Sequence, residues 1–311
     1  MDIKIIHSKL RAFFKNNNIQ DIIKKTEINQ INIKENISLT VVFTTNDRQE
    51  QTYFTLKSWD NIAKLNNINI QVIIVDDTVN NKLNIQELKS TQNLEITYIY
   101  ITNKNWMNPC LNYNIGFEFI KSDNVVISNA EVCVFGNIYE IIKNNLNENN
   151  YLVFDVGQTG TSMYNNTNTN KQLHSKCSDF KFDSVINFLK ENKHDWLQGK
   201  SKNSCYHYLT AIHKNTLIKQ GGFDLDFSLG TRLDDRIFIN KLRLYEKINI
   251  INFFHDTHKI IGFHQWHIRN YVSNDQYSTQ LINIFLNNLK NNYISNGKYI
   301  YLYDTDIIND L

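Results

Sequence analysis

Four short apolar runs, separated by stretches with helical spacing, constrain this chain more than any other feature. Leu39-Thr40-Val41-Val42-Phe43 is the first and Ile70 to Val75 the second. Leu94 to Ile101 is the third and Asn124 to Ser128 the fourth. The second run holds no charge, as expected of a strand buried on both faces. Between the first two, Leu56, Trp59 and Ala63 fall on one helical face, and Asn46 is placed to cap that helix. Pro109 is suited to open a further helix running through about Lys121. Strand alternating with helix predicts an α/β fold with a mostly parallel central sheet flanked by helices. Ligands in such sheets bind beyond the carboxyl ends of the strands.

The residues at those ends are polar in a suggestive way. The first strand runs into Thr44-Thr45-Asn46-Asp47-Arg48. Its hydroxyls and amide suit a nucleobase and Arg48 suits a phosphate, while Asn46 and Asp47 could also be caps. The second strand ends in Asp76-Asp77, which can accept from a base N–H or a ribose hydroxyl, or simply shape a turn. The fourth leads into Asn129-Ala130-Glu131, with one acid where a divalent cation on a diphosphate would lie. Mg2+ and Mn2+ take one or two carboxylates together with phosphate oxygens, although a solvated turn reads the same way.

Late in the chain, His255-x-x-His258 and His264-x-x-His267 suggest metal ligands. A zinc site would want helical spacing or a cysteine partner, and neither is evident. His264 directly follows the apolar stretch 260–263 and is expected at a strand end facing the site. Gly221-Gly222-Phe223-Asp224 leads past Gly230 to Asp234-Asp235, which open an amphipathic helix. Acids there lie in the positive end of the helix dipole. They serve as caps or as a fixed base acting on a hydroxyl. A glycine-rich phosphate loop is absent from the sequence, and so is a serine nucleophile elbow.

With 311 residues the chain can bury a sizeable core. Its net charge of +2 is spread along the chain, which argues against nucleic acid as a partner. Cys110, Cys133, Cys177 and Cys205 lie far apart, as in a reduced, cytoplasmic protein rather than a disulfide frame. Neither a signal-peptide core nor an apolar run of membrane-spanning length is found, so a cytoplasmic location is expected. Residues 1–36 are read as an N-terminal helical extension, with Ile5, Ile6, Leu10 and Phe13-Phe14 at near-helical spacing. Residues 37–275 form the main domain and 276–311 a C-terminal helical tail packed on it. The polar stretch from Gly157 to Lys176 is expected to be a mobile surface loop acting as a lid. A homo-oligomer is compatible with this organisation.

In their order, these features resemble the GT-A glycosyltransferases, specifically the family 2-like group, over about residues 38–270. Leu39 to Arg48 looks like that group's opening strand and Asn-Arg turn. Val72 to Asp77 looks like its uridine-contacting strand. The stretch from Asn108 to Gly116 resembles its Asn-x-Gly helix. Val125 to Glu131 stands where the group carries Asp-x-Asp, and Gly221 to Asp235 resembles its acceptor segment. The resemblance implies an inverting transferase that uses Mn2+ (or Mg2+) and a nucleotide sugar, most simply a UDP-sugar, with a glycan or protein acceptor.

It also implies residue roles. Thr44, Asn46, Arg48, Asp76, Asp77 and Asn114 would hold the nucleotide. Glu131 would bind the metal with His264, and His267 would be the fallback. Asp235 would be the base, with Asp234 beside it on the acceptor. Asn129, Trp196, His207, Gly221 and Gly222 would line the sugar and acceptor subsites. The departure is Asn129, which stands where the group has an acid. That substitution keeps open a second class of function, a carbohydrate-binding or assembly protein on a degenerate transferase fold. A sugar-nucleotide nucleotidyltransferase is disfavoured by the missing glycine-rich segment.

Overall fold

The computed structural model describes residues 19–79, 81–102, 104, 106, 108–159, 167–192, 194–199, 206–225, 234–244 and 247–267. Eight strands form the main sheet: β1 (Glu27–Ile31), β2 (Ile37–Thr45), β3 (Asn69–Asp76), β4 (Leu94–Tyr100), β5 (Asn124–Ser128), β7 (Asn150–Phe154), β10 (Leu209–His213) and β11 (Asn249–Phe253). Their order is β1-β4-β3-β2-β5-β10-β7-β11. β2, β3, β4 and β5 run parallel, β1 is antiparallel to β4, β10 is antiparallel to β5 and β7, and β7 and β11 run parallel to each other. The chain thus forms the expected α/β layer with a mostly parallel sheet.

Alternation along the strands explains why their sequences read as continuous apolar runs. In β3, Ile70, Val72 and Ile74 face one core with Leu56, Trp59 and Ile62 of the helix Gln49–Asn66. Ile73 and Val75 face the other core, with Leu111 and Ile115 of the helix Cys110–Phe117. Successive side chains point to opposite faces, and helices cover both. Gly116 sets the approach of the second helix. A Cβ there would lie 2.8 Å from Val42 Cγ1 and 3.2 Å from Val75 Cγ2.

A smaller sheet, ordered β6-β12-β8-β9, packs beside the first. It comprises β6 (Val132–Phe135), β8 (Val156–Thr159), β9 (His194–Gln198) and β12 (Ile261–His264). β6 and β12 are antiparallel, with His264 opposite Val132. That register sets a residue near the end of the described chain beside the turn that follows β5.

Several expectations are corrected here. Part of the lead segment is an edge strand, β1, paired with β4 from Glu27↔Tyr100 to Ile31↔Ile96. Its earlier apolar residues and the tail at 276–311 lie outside the described residues. The stretch expected as a loop lid opens with β8 and closes with a helix, Thr167–Lys176, which buries Asn170 and Leu173. Residues 160–166 lie outside the described residues. Asn46 does not cap the next helix. Arg48 holds the cap position without a side-chain cap bond.

Candidate active site

Parallel strands deliver their carboxyl ends to one edge, so Arg48, Asp77 and Glu131 follow β2, β3 and β5 onto the same side of the sheet. Glu131 is buried, and three cationic or imidazole groups surround it. Arg48 NH1 lies 2.7 Å from its Oε2. His264 Nε2 and His267 Nε2 lie 3.3 Å and 3.6 Å from its Oε1. Burial works against the charge of Glu131, but Arg48 and the two histidines outweigh it and hold the carboxyl well below its usual range. The carboxylate is therefore ionised throughout the neutral range.

Glu131, His264 and His267 each offer a ligand atom, all within 4.8 Å of one another. Metal–ligand bonds of about 2.1 Å put neighbouring ligand atoms roughly 3–3.4 Å apart, close to the two spacings from Oε1. Despite the nearby guanidinium, Oε2 accepts no aligned hydrogen bond and is buried from water. Oε2 faces Arg48, and the buried Oε1, which both imidazole nitrogens face, is the oxygen that fits a divalent cation. Among the described residues this is the group of three or more ligands that fits one. The other histidine pair is employed elsewhere. His255 Nδ1 lies 2.6 Å from buried Asp155 Oδ2, and its ring stacks on Trp196 at 4.4 Å. His258 Nδ1 lies 3.1 Å from Phe254 O.

The two acids after β3 divide sharply. Asp76 is fully buried, and its oxygens accept from Thr78 N, Leu83 N and Tyr98 Oη at 2.9, 3.2 and 2.8 Å. Its carboxylate is spent on the fold, which leaves Asp77 as the acid at the ligand edge. Asp77 Oδ1 accepts from Asn46 Nδ2 at 2.7 Å. Its Oδ2 accepts from Asn112 Nδ2 at 2.7 Å and pairs with Lys104. The amide of Asn112 is oriented in turn by Trp106 Nε1, 2.8 Å from its Oδ1.

The acidic pair stands at the start of the helix Asp234–Leu244. Asp234 is buried, and its Oδ1 accepts from Asn108 Nδ2 at 2.9 Å. Asp235 is partly exposed and accepts from Arg236 N. Burial first, then the charge of Asp234, pushes the carboxyl of Asp235 up to about 7. A carboxylate so placed is half-protonated near neutrality and is suited to take a proton. Tyr113 stands between the two halves. Its hydroxyl donates to Ser128 O at 2.8 Å and lies 3.2 Å from Asn129 Oδ1. Burial raises the Tyr113 hydroxyl, and both Glu131 and Asp234 are close enough to raise it further, while a bond to Thr44 lowers it.

Some expected site residues serve the frame instead. Asn114 grips the backbone of Phe223 from both sides, Nδ2 donating to Phe223 O at 2.7 Å and Oδ1 accepting from Phe223 N at 2.8 Å. Both polar ends of its amide are thus occupied by the chain. Gly222 has φ +72°, and a Cβ on it would lie 2.4 Å from Asn114 Oδ1. Gly221 is the left-handed cap of the helix Lys214–Gln220. The double glycine therefore turns the chain under Asn114. His207 packs its ring on Phe223 and Tyr113, with centroids 4.7 Å and 5.3 Å away. Burial lowers its pKa against the opposing charge of Asp234. Trp196 lies in β9 of the smaller sheet.

Four residues of the site were given no role by the sequence reading: Lys104, and, within the stretch likened to the Asn-x-Gly helix, Asn108, Asn112 and Tyr113. All precede or occupy the helix Cys110–Phe117. The spacing Asn108-x-x-x-Asn112 could have revealed two amides aimed at one edge.

No family model matches this chain, and no curated protein matches it. Solved structures match its general form. TarS from S. aureus is 12% identical over 74% of this chain, with a TM-score of 0.47. The catalytic domain of Drosophila beta1,4-galactosyltransferase 7, in complex with xylobiose, is 10% identical over 70% of this chain, with a TM-score of 0.39. The mannosyltransferase PcManGT from Pyrobaculum calidifontis, in complex with GDP-Man and Mn2+, is 12% identical over 99% of this chain and 78% of its own, with a TM-score of 0.45. This chain spans 37% of that TarS chain and 65% of the galactosyltransferase chain. Two of these three neighbours are glycosyltransferases by name, the galactosyltransferase and the mannosyltransferase. Likeness this distant carries no residue roles to this chain.

Proposed function

We propose that this protein is an inverting, metal-dependent glycosyltransferase that takes a sugar from a UDP-sugar to a hydroxyl acceptor. The observation that carries the reading is the presence, on either side of Tyr113, of two oppositely tuned acids. Glu131 is held ionised by Arg48 and two histidines. Asp235 is pushed up to about 7 by burial and Asp234. Acids driven apart in this way mark a ligand and a base.

Glu131, His264 and His267 would hold the cation. One carboxylate with two imidazoles suits Mn2+ better than Mg2+, which prefers an all-oxygen shell. A cation bound there supplies Lewis-acid stabilisation of charge on a leaving diphosphate. The chain's own residues do the rest. Thr44, Asn46 and Asp77 offer the polar groups for uracil and ribose at the ends of β2 and β3. Arg48 is the guanidinium at the same edge. Asp235 takes the proton of the acceptor hydroxyl as its oxygen attacks the anomeric carbon. The anomeric carbon–oxygen bond breaks, and nucleoside diphosphate leaves with the electron pair. One displacement of this kind inverts the anomeric centre. Asp234, fixed by Asn108, keeps Asp235 basic and faces the acceptor side.

The test is incubation with a panel of UDP- and GDP-sugars and Mn2+, followed for release of nucleoside diphosphate. Slow donor hydrolysis that requires Mn2+ supports the reading. Saturable glycan binding with no donor turnover would favour the non-catalytic alternative.

A further inference from the structure

We infer that Asn170 is a positioning residue for the Glu131–His264–His267 cluster, acting through a two-handed grip on the backbone of Trp266. It rests on the metal-binding role proposed above. β12 ends at His264, so the segment carrying both histidines leaves the ladder between them. Backbone groups there need other partners if they are buried. Side chains supply them. Asn170 Oδ1 accepts from Trp266 N at 2.9 Å, and Asn170 Nδ2 donates to Trp266 O at 2.8 Å. Gln51 Nε2 donates to the same carbonyl at 2.8 Å.

The residue before Trp266 closes the network onto the acid. Gln265 N donates to Glu131 O at 2.9 Å, and Gln265 Nε2 lies 3.2 Å from the same oxygen. Gln265 Nε2 also reaches Gln51 O and Thr55 Oγ1. Gln265 Oε1 lies 2.7 Å from His174 Nε2. Asn170 and His174 sit one turn apart in the helix Thr167–Lys176. Gln51 and Thr55 sit one turn apart in the helix Gln49–Asn66. Two helices thus hold Gln265-Trp266 against Glu131 from both sides.

Asn170 and Gln265 are 1% and 0% exposed. A buried amide used in this way fixes where the flanking side chains project. His264 and His267 flank the gripped pair, so their distance from Glu131 depends on it. Groups that orient metal ligands in this manner are typically worth about 10–100-fold in metal affinity. Glu131 and the two histidines supply the ligand atoms, and Asn170 supplies their spacing.

The experiment is Mn2+ titration of the full-length protein by calorimetry, without nucleotide, for the wild type, Asn170→Ala, Asn170→Asp and Gln51→Met. Thermal melting runs in parallel. Asn170→Ala should weaken Mn2+ binding about tenfold or more. Gln51→Met leaves the Asn170 grip in place and should weaken it less, about two- to threefold, without changing the folded fraction. Asn170→Ala that melts like the wild type and binds Mn2+ equally well would overturn the inference. If Asn170→Ala fails to fold, Asn170→Asp decides, since it keeps the acceptor for Trp266 N and removes the donor to Trp266 O: unchanged Mn2+ affinity in the folded variant overturns the inference, and a loss of several-fold or more upholds it. Wild type that binds no Mn2+ would instead overturn the metal reading of the cluster, and the inference with it.

Discussion

Two acids of this site have opposite surroundings, and the contrast is the clearest guide to what each does. Glu131 is buried with Arg48, His264 and His267 against its two oxygens, and these partners favour its charge. Asp235 has a second acid beside it in sequence and space, so its charge is opposed. The first is locked as an anion, suited to binding a cation. The second changes protonation near neutral pH, suited to accepting a proton. Burial alone would have raised both, so partners decide the difference.

The largest expected effect breaks the contrast at Asp235. Replacing it with Asn keeps the shape and removes the basicity. Transfer measured by product release should fall roughly a hundredfold or more. UDP affinity should hold within about twofold, since Asp235 is not among the nucleotide-side residues. Equal loss of nucleotide binding would merge the two halves into one.

A smaller effect lies in pH. With a base pushed up to about 7, kcat/KM should fall about tenfold per unit below that value and level off above it. Glu131 contributes no inflection in that window, because its carboxyl is held low. A flat profile between pH 5 and 8 would remove Asp235 as the base.

The smallest effect is on stability, and its sign is the informative part. The folded carboxyl of Asp235 titrates at about 7, above its unfolded value of 3.8, so the folded state holds the proton more tightly. Stability from this group is therefore present at low pH and declines as pH rises through 7. Asp235→Asn should then melt higher than the wild type at pH 8, by about 2–4 °C, the scale of a change of about 1 kcal/mol in a domain of this size. The difference should shrink as pH falls from 7 and largely vanish only below the unfolded value of 3.8.

The halves also differ in how far the sequence disclosed them. β2, β3 and β5 were legible because both of their faces are buried, which leaves long apolar runs followed by polar ends. His264 could be named because it directly follows an apolar run, and Glu131 because it closes the short polar turn after β5. The smaller sheet was less visible, since strands of four residues such as β6, β8 and β12 carry little periodic signal. The helix Thr167–Lys176 read as a loop because its Asn and Thr residues hide the one-turn spacing of Asn170 and His174. Asn114 was assigned to the nucleotide because its true partner, Phe223, is remote in sequence. Asp76 and Asp77 are neighbours of identical type, and only the positions of Tyr98, Leu83 and Lys104 tell them apart.

The most direct test is calorimetric titration of UDP with Mn2+, and again with EDTA, on wild type, Glu131→Gln and Asp235→Asn. Wild type should bind UDP at least about tenfold more tightly with Mn2+ than with EDTA. Glu131→Gln should lose that metal dependence, while Asp235→Asn should keep it. UDP affinity in the wild type that is equal with Mn2+ and with EDTA would contradict the account of Glu131 as the cation-binding half of the site.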